Sequence, residues 1–511
     1  MTSNEFINAR RTHSSRPEGR VAWELTDQLL IGDLLLNDIG VVIQSLHFIR
    51  CTFQDKLVVN QSSGFTTIIF SECVFKNTVQ FETIVSNLTW EKCLFEKDLI
   101  VNGGRNNVTL SGFNIMGTLE MRANFEQNLI VADINCASSE ENLGSFKCTS
   151  VGFSRLEIRN SRFIQVDLTR ARGIINIDQL TANMLNINHA AFVNWFRVQQ
   201  CNLGDLKIDN LSSGPKLVEL KENEVAVLWI ACHMVEQLSI ERGVYGLCRF
   251  WGDVKKDTII EVRSGVFQSL IFDEVFNEGR VSFRGVTIQK NGHLAILGST
   301  LGKCSFIKCD FSAGWFKFDN SKISEIFVAE TDFPKHVGGE NEVNFSQAQL
   351  AFGQLHTAFE KQGDTVRSLD YQAREISAHY GRIPLWISFA KPNFTKASLW
   401  LNKLSNDFGR DWGRGVVFSL GVGLLFFFLL LWTTDNYSIH GLWRWDDRLV
   451  PSFFRFMNPL RFFDLETLFT KDKVSLVSLN SSSYFVDFFG RVWLAYGYYQ
   501  TIQAFRRYGR K

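Results

Sequence analysis

The chain has 511 residues and 54 basic against 53 acidic side chains, a net charge of +1, so no domain-wide excess of positive charge is available for nucleic acid. Its length predicts two to four domains, and an apolar run near the C-terminus divides it very unequally. Ten cysteines, scattered as far as Cys309 with no CxxC pair, exclude a compact disulfide framework and read as reduced, buried small hydrophobes.

Residues 1–24 form a polar tail or cap. Their basic residues are followed by no apolar h-region, which predicts a cytoplasmic location for the long N-terminal part.

From residue 25 to 335 short alternating segments follow one another, with Pro215 the only proline between Pro17 and Pro334. A small motif recurs here: "CTF" at Cys51, "CVF" at Cys73, "CLF" at Cys93, "SGF" ending at Phe113, then "CDF" ending at Phe311 and "TDF" ending at Phe333. A period of about 20 residues is a solenoid signal. Residues two apart share a face of a strand, so Cys73 with Phe75, and Cys93 with Phe95, should enter one core and stack on their counterparts in neighbouring turns. The spacing drifts between about 165 and 260, where insertions are expected and a set of stacked sandwiches is the alternative. The expected fold class is mainly β, a right-handed β-solenoid followed by a helical hairpin cap and an α-helical two-span membrane module.

Residues 336–382 change period. "SQAQLAFGQLHTAFEKQGDTVRSLDYQAREISAHYGR" predicts two helices, the first capped by Ser346 and ended by Gly363, the second capped by Asp364 and ended by Gly381. Leu350, Leu355 and Phe359 should face Leu369, Tyr371 and Ile376. Residues 383–414 supply a linker and a juxtamembrane helix.

Residues 415–432, "GVVFSLGVGLLFFFLLLW", contain neither charge nor proline. As a helix with about 1.5 Å rise per residue they cover roughly 27 Å, enough to span a bilayer. Residues 433–481 form an aromatic segment broken at Pro451 and Pro459 that lies in the interface or re-enters the bilayer. Residues 482–511 give a second, weaker span and a basic tail. Asp487 and Arg491, four residues apart on one helical face, are the membrane polar pair and the pore candidate, with a neutralised structural pair as the alternative. Trp412, Arg414, Trp432, Trp443, Trp445, Trp493, Arg506 and Arg507 are the expected interface anchors, and the basic flanks put both termini in the cytoplasm.

The repeat motifs, "SRFIQVDLTRA", "SLWLNKLSNDFGRDWGRG" and the C-terminal "SSYFVDFFGRVWLAYGYYQTIQAFRRYGRK" together resemble bacterial pentapeptide-repeat-like or right-handed β-helix membrane proteins with a C-terminal two-helix transmembrane module. The strict five-residue A(D/N)LXX pattern is not sustained, which favours a looser β-helix. The resemblance implies a multi-pass protein of the bacterial inner membrane and carries no established chemistry.

No nucleophile, metal set or phosphate loop stands out. Cys232 and His233 lack a third partner, and Cys304 with Cys309 supplies only two ligands. The expectation is a non-enzyme without cofactors: a membrane-anchored β-solenoid serving as a binding, sensing or assembly platform. Its expected partners are the lipid bilayer, other copies in a homo-oligomer and an unknown protein or ligand on the solenoid, not nucleic acid. Two other readings are an oligomeric, ligand-controlled pore formed by the C-terminal helices and a membrane-tethered carbohydrate-active enzyme.

Overall fold

The computed structural model describes residues 5, 21–36, 43–60, 67–83, 87–104, 107–136, 144–188, 195–209, 217–338, 344–388, 391–434 and 449–509, the last stretch with short gaps between 459 and 479. The chain is mainly β, a solenoid of about 12 turns followed by helices. It divides into two compact units, Met1–Asn341 and Glu342–Lys511.

In the first unit a turn is built from three short parallel strands. Ile43–Ile49, Thr52–Phe53 and Leu57–Asn60 make one turn, and each pairs with its counterpart in the next: Thr67–Ser71, Val74–Phe75 and Val79–Thr83. Alternating burial along strands such as Thr67–Ser71 and Trp195–Gln199 sends every second side chain inward. Aromatic rings then stack from turn to turn: Phe48 on Phe70 at 5.0 Å and Phe70 on Trp90 at 4.8 Å, beside Phe53 on Phe75 at 4.7 Å and Phe75 on Phe95 at 4.5 Å. Cys51, Cys73 and Cys93 lie in the same interior, as their spacing predicts.

Between residues 165 and 260 the structure shows continuous parallel pairing, not stacked sandwiches. Ile177, Val198, Leu220, Ile240 and Val262 register in sequence. The drift in the motif has a local cause. Here one strand, Arg172–Asn188, runs for 17 residues across what are separate strands in earlier turns, and aliphatic side chains replace the Cys-x-Phe signature.

Each turn is bent by a residue in the left-handed region. Asp27, Arg50, Glu72 and Lys92 have φ between 51° and 55°, and Gln200, Glu222, Lys308 and Glu330 repeat the conformation. A side chain in this region costs about 1–2 kcal/mol. Their amides stay in the ladder: Asp27 N donates to Ile49 O at 3.0 Å, Arg50 N to Ser71 O at 2.8 Å and Glu72 N to Glu91 O at 2.7 Å. Parallel stacking sets like positions about 4.8 Å apart, so equal charges would repel, and the column alternates in sign from Asp27 to Lys92. Arg50 pairs with Asp27 at 2.6 Å, and Gln200 and Arg242 both reach Glu222.

In several turns the residue after the bend carries a small donor. Cys93 Sγ donates to Glu91 O and Phe70 O, Cys201 Sγ to Gln199 O, and Cys309 Sγ to Ile307 O at 3.5 Å and Phe283 O at 3.4 Å. Ser161 and Thr331 make the same bond to the carbonyl two residues back, at 2.7 and 3.0 Å. These thiols therefore do the work of buried hydroxyls as well as filling space. Thr and Val have similar shape but differ in the donor, so Cys309→Val should be about 1 kcal/mol less stable than Cys309→Thr. Urea unfolding of the two variants measures that difference; equal midpoints would reduce the cysteine to a spacer.

In the second unit, helices α1 (Phe345–Lys361) and α2 (Thr365–Arg382) form an antiparallel hairpin. Asn344 caps α1 by accepting from Ser346 N and Gln347 N, so Ser346 lies inside the helix and is not its cap. Gly363 (φ 77°) and Asp364 occupy the expected break, and Asp364 Oδ1 accepts from Arg367 N at 3.0 Å. Gly381 does not end α2, which continues to Arg382; it admits the Phe345 ring instead. Leu355, Phe359 and Tyr371 form the seam, with Phe359 and Tyr371 stacked at 5.2 Å, whereas Leu350 is exposed. Helices α3 (Phe394–Asn406), α4 (Trp412–Trp432), α5 (Leu449–Phe456) and α6 (Ser481–Gly509) follow.

Candidate functional site: a polar seam between two apolar helices

Helices α4 and α6 are antiparallel, and small residues let them approach closely. A Cβ on Gly415 would stand 2.6 Å from Thr501 Oγ1, and one on Gly497 would stand 2.5 Å from Ser419 Oγ. The hydroxyls at this contact are satisfied within their own helices, Ser419 Oγ donating to Gly415 O at 2.8 Å and Thr501 Oγ1 to Gly497 O at 2.9 Å. At the far end Thr433 Oγ1 donates to Ser483 Oγ at 3.2 Å. Gly, Ser and Thr at such spacing suit helices that associate by van der Waals contact and interhelical hydrogen bonds.

Asp487 and Arg491 lie in this seam. Arg491 Nε donates to Asp487 Oδ2 at 2.8 Å, and the residues are 6% and 3% exposed respectively. Spacing of four on a helix brings them together, as the sequence predicts. The described parts of the aromatic segment fold back beside them: Phe456, Met457, Leu465 and Leu468 join Phe427, Leu430, Leu431 and Leu494 in one apolar cluster, and Tyr498 Oη donates to Met457 O at 3.0 Å.

A second polar cluster, which the sequence reading missed, lies where α3 turns into α4. Asp407, Phe408 and Gly409 take φ of 49°, 60° and 86° in succession. Buried Asn406 holds this knot, its Oδ1 accepting from Gly409 N at 2.9 Å and its Nδ2 donating to Gln500 Oε1 of α6 at 2.7 Å. Ion pairs extend outward from it: Arg410 joins Asp407 at 2.9 Å and Asp370 of α2 at 3.3 Å, and Arg374 closes on Asp370 at 2.7 Å. The turn chemistry of "SNDFG" was the available signal.

Of the expected anchors, Trp412 and Trp432 are exposed at opposite ends of α4, and Trp493 is half-buried on α6. Arg414 is held by Asp411 at 3.4 Å, and Arg506 is exposed. Trp443 and Trp445 lie outside the described residues, as does the side chain of Arg507. Among the described residues, α4 is the one helix long and apolar enough to cross a membrane, with a third of its apolar window buried inside the protein.

In the α1–α2 hairpin, Glu375 reaches Gly353, where a Cβ would sit 3.0 Å from Oε1. Burial raises its carboxyl above the ordinary 4.5, opposed by His356 and His379. A carboxylate with a raised folded-state value binds more protons folded than unfolded, so its contribution to stability falls as pH rises from 4.5 through the raised value. Glu375→Gln should remove that fall and stabilise the unit at neutral pH; thermal unfolding from pH 4 to 8 (roughly the window of carboxyl titration) checks it.

All ten cysteines are buried and free of disulfides. Burial pushes the Cys148 and Cys232 thiols up to about 12, which suits packing and not nucleophilic attack. His233 lies edge-on to Trp251 at 5.1 Å. Among the described residues no three His, Cys, Asp or Glu side chains are grouped to hold a metal ion. No protein family, curated protein or solved structure matches the chain.

Proposed function

We propose that the protein is a membrane-anchored β-solenoid whose C-terminal helices α4 and α6 are both immersed, leaving the solenoid as a binding or assembly platform in the cytoplasm. One observation carries the membrane reading: α6 is inside-out for a helix in water. Its Ser483, Asp487, Arg491 and Gln500 are buried, while Phe485, Phe488, Val492, Tyr499, Ile502 and Phe505 are exposed. Val417, Leu425 and Phe428 extend the same apolar surface over α4. An exposed apolar surface of this extent calls for lipid or a partner. Hydropathy undercounts α6 because it sums polar residues without regard to the direction they face. Arg410 and Arg414 near the start of α4, with Arg506 and Arg507 late in α6 and Arg510 and Lys511 following in the sequence, support a cytoplasmic position for both outer ends of the hairpin.

The regular stacking of the solenoid's turns supports the platform reading, since such repeats offer an extended surface for a partner. The Asp487–Arg491 pair, neutralised and buried between packed helices, supports a structural lock in preference to a pore lining. The test is reconstitution of the full-length protein into liposomes. Flotation with the vesicles, resistance to alkaline carbonate and no ion flux are expected. Protein left in the soluble fraction would sink the membrane reading, and flux altered by Asp487→Asn or Arg491→Gln would replace the platform with a pore.

A further inference from the structure

Beside the knot, Leu404 of α3 and one side of α4 line a shallow, open groove of about 650 Å³. Its floor is apolar, formed by Leu404, Val417, Phe418, Gly421, Val422 and Leu425. Its mouth carries opposite charges, Asp411 and Arg414. Asp411 Oδ1 accepts from Arg414 N at 3.1 Å as the cap of α4, leaving Oδ2 3.4 Å from Arg414 Nε. Arg414 also faces Asp407 at 3.8 Å, and its side chain is more than half exposed. Trp412, also exposed, stands next to this mouth in sequence.

We propose that the groove binds a single glycerophosphoethanolamine lipid, an inference that rests on the membrane reading of α4. The phosphate meets the Arg414 guanidinium, the primary ammonium donates to Asp411 Oδ2, and one acyl chain lies along Val417, Gly421 and Leu425. Charge decides the headgroup. An anionic headgroup with no ammonium leaves Asp411 facing a phosphate, and a choline headgroup has no N–H to give it. Gly421 is the open part of the track, because a Cβ there would meet nothing within 4 Å.

The experiment is native mass spectrometry of the full-length protein in detergent, titrated separately with dioleoyl phosphatidylethanolamine, phosphatidylcholine and phosphatidylglycerol. Phosphatidylethanolamine should bind at least about tenfold tighter than the other two. Asp411→Asn, which keeps a capping side chain, should erase the preference for ethanolamine over choline, and Arg414→Gln should weaken all three lipids. Gly421→Leu should block binding without disturbing the fold. Equal binding of the three lipids, a phosphatidylglycerol preference indifferent to Asp411, or unchanged binding by Gly421→Leu would overturn the proposal. Carbonate extraction of the same preparation separates the two failures: an extractable protein loses both readings, whereas an integral protein without lipid preference loses only the groove.

Discussion

Removing either partner of the Asp487–Arg491 pair should cost the helical unit about 3–5 kcal/mol, because the other charge loses the opposite charge 2.8 Å away while staying buried. The residues are 3% and 6% exposed and sit between helices already in close contact at Gly497 and Ser419, so there is little room for water to enter. Asp487→Ala and Arg491→Ala should both lower the unfolding temperature of the full-length protein in micelles by a similar amount. The double replacement by leucine and methionine should recover most of the loss, since a well-packed apolar pair is often as stable as a buried ion pair. This cycle also bears on function. A cost below about 1 kcal/mol for either single change is the range of a solvated pair, and would point to water in the seam and toward conduction.

The solenoid was legible where its chemistry repeats. Cys-x-Phe at Cys51, Cys73 and Cys93 reports both the strand period and the turn length, because Cys and Phe face one core and their counterparts stack. The bend that fixes each turn was also written in the sequence: Arg50, Glu72 and Lys92 immediately precede those cysteines and alternate in sign. Apolar periodicity gives no hint of it, since a left-handed bend has no hydrophobic signature. The middle turns were harder because the 17-residue strand Arg172–Asn188 removes the breaks that punctuate other turns.

In the helical unit, the spacing of Asp487 and Arg491 revealed their pairing, but nothing local revealed that Asn406 reaches Gln500, 94 residues away. The knot depends on three successive left-handed residues, two of them not glycine, and such backbone is held by its surroundings more than by its own preference. The caps show the same limit at short range. Asn344 and Ser346 are both good capping residues, and which one starts α1 is settled by the backbone that enters it.

Trp90→Ala should be the most damaging single change in the solenoid, at about 3–5 kcal/mol. Trp90 is among the largest fully enclosed side chains and touches rings on both sides of its turn, Phe70 at 4.8 Å and Phe113 at 5.9 Å, as well as Phe95 at 5.1 Å. Its Nε1 has no hydrogen-bond partner among the described residues. Trp90→Phe should therefore lose much less than Trp90→Ala, the smaller ring leaving a gap but removing a buried N–H whose desolvation costs about 1–3 kcal/mol. Hydrogen exchange on the full-length protein tells where the loss goes. Turns in a solenoid contact only their neighbours, so Trp90→Ala should expose amides in Thr67–Ser71 and Val108–Ser111 first, while the Phe283–Phe306 stack keeps its protection. Uniform loss through all turns would mean that the solenoid unfolds as one unit, with the alternating charges and thiol donors of the bends coupling its turns too tightly for local opening.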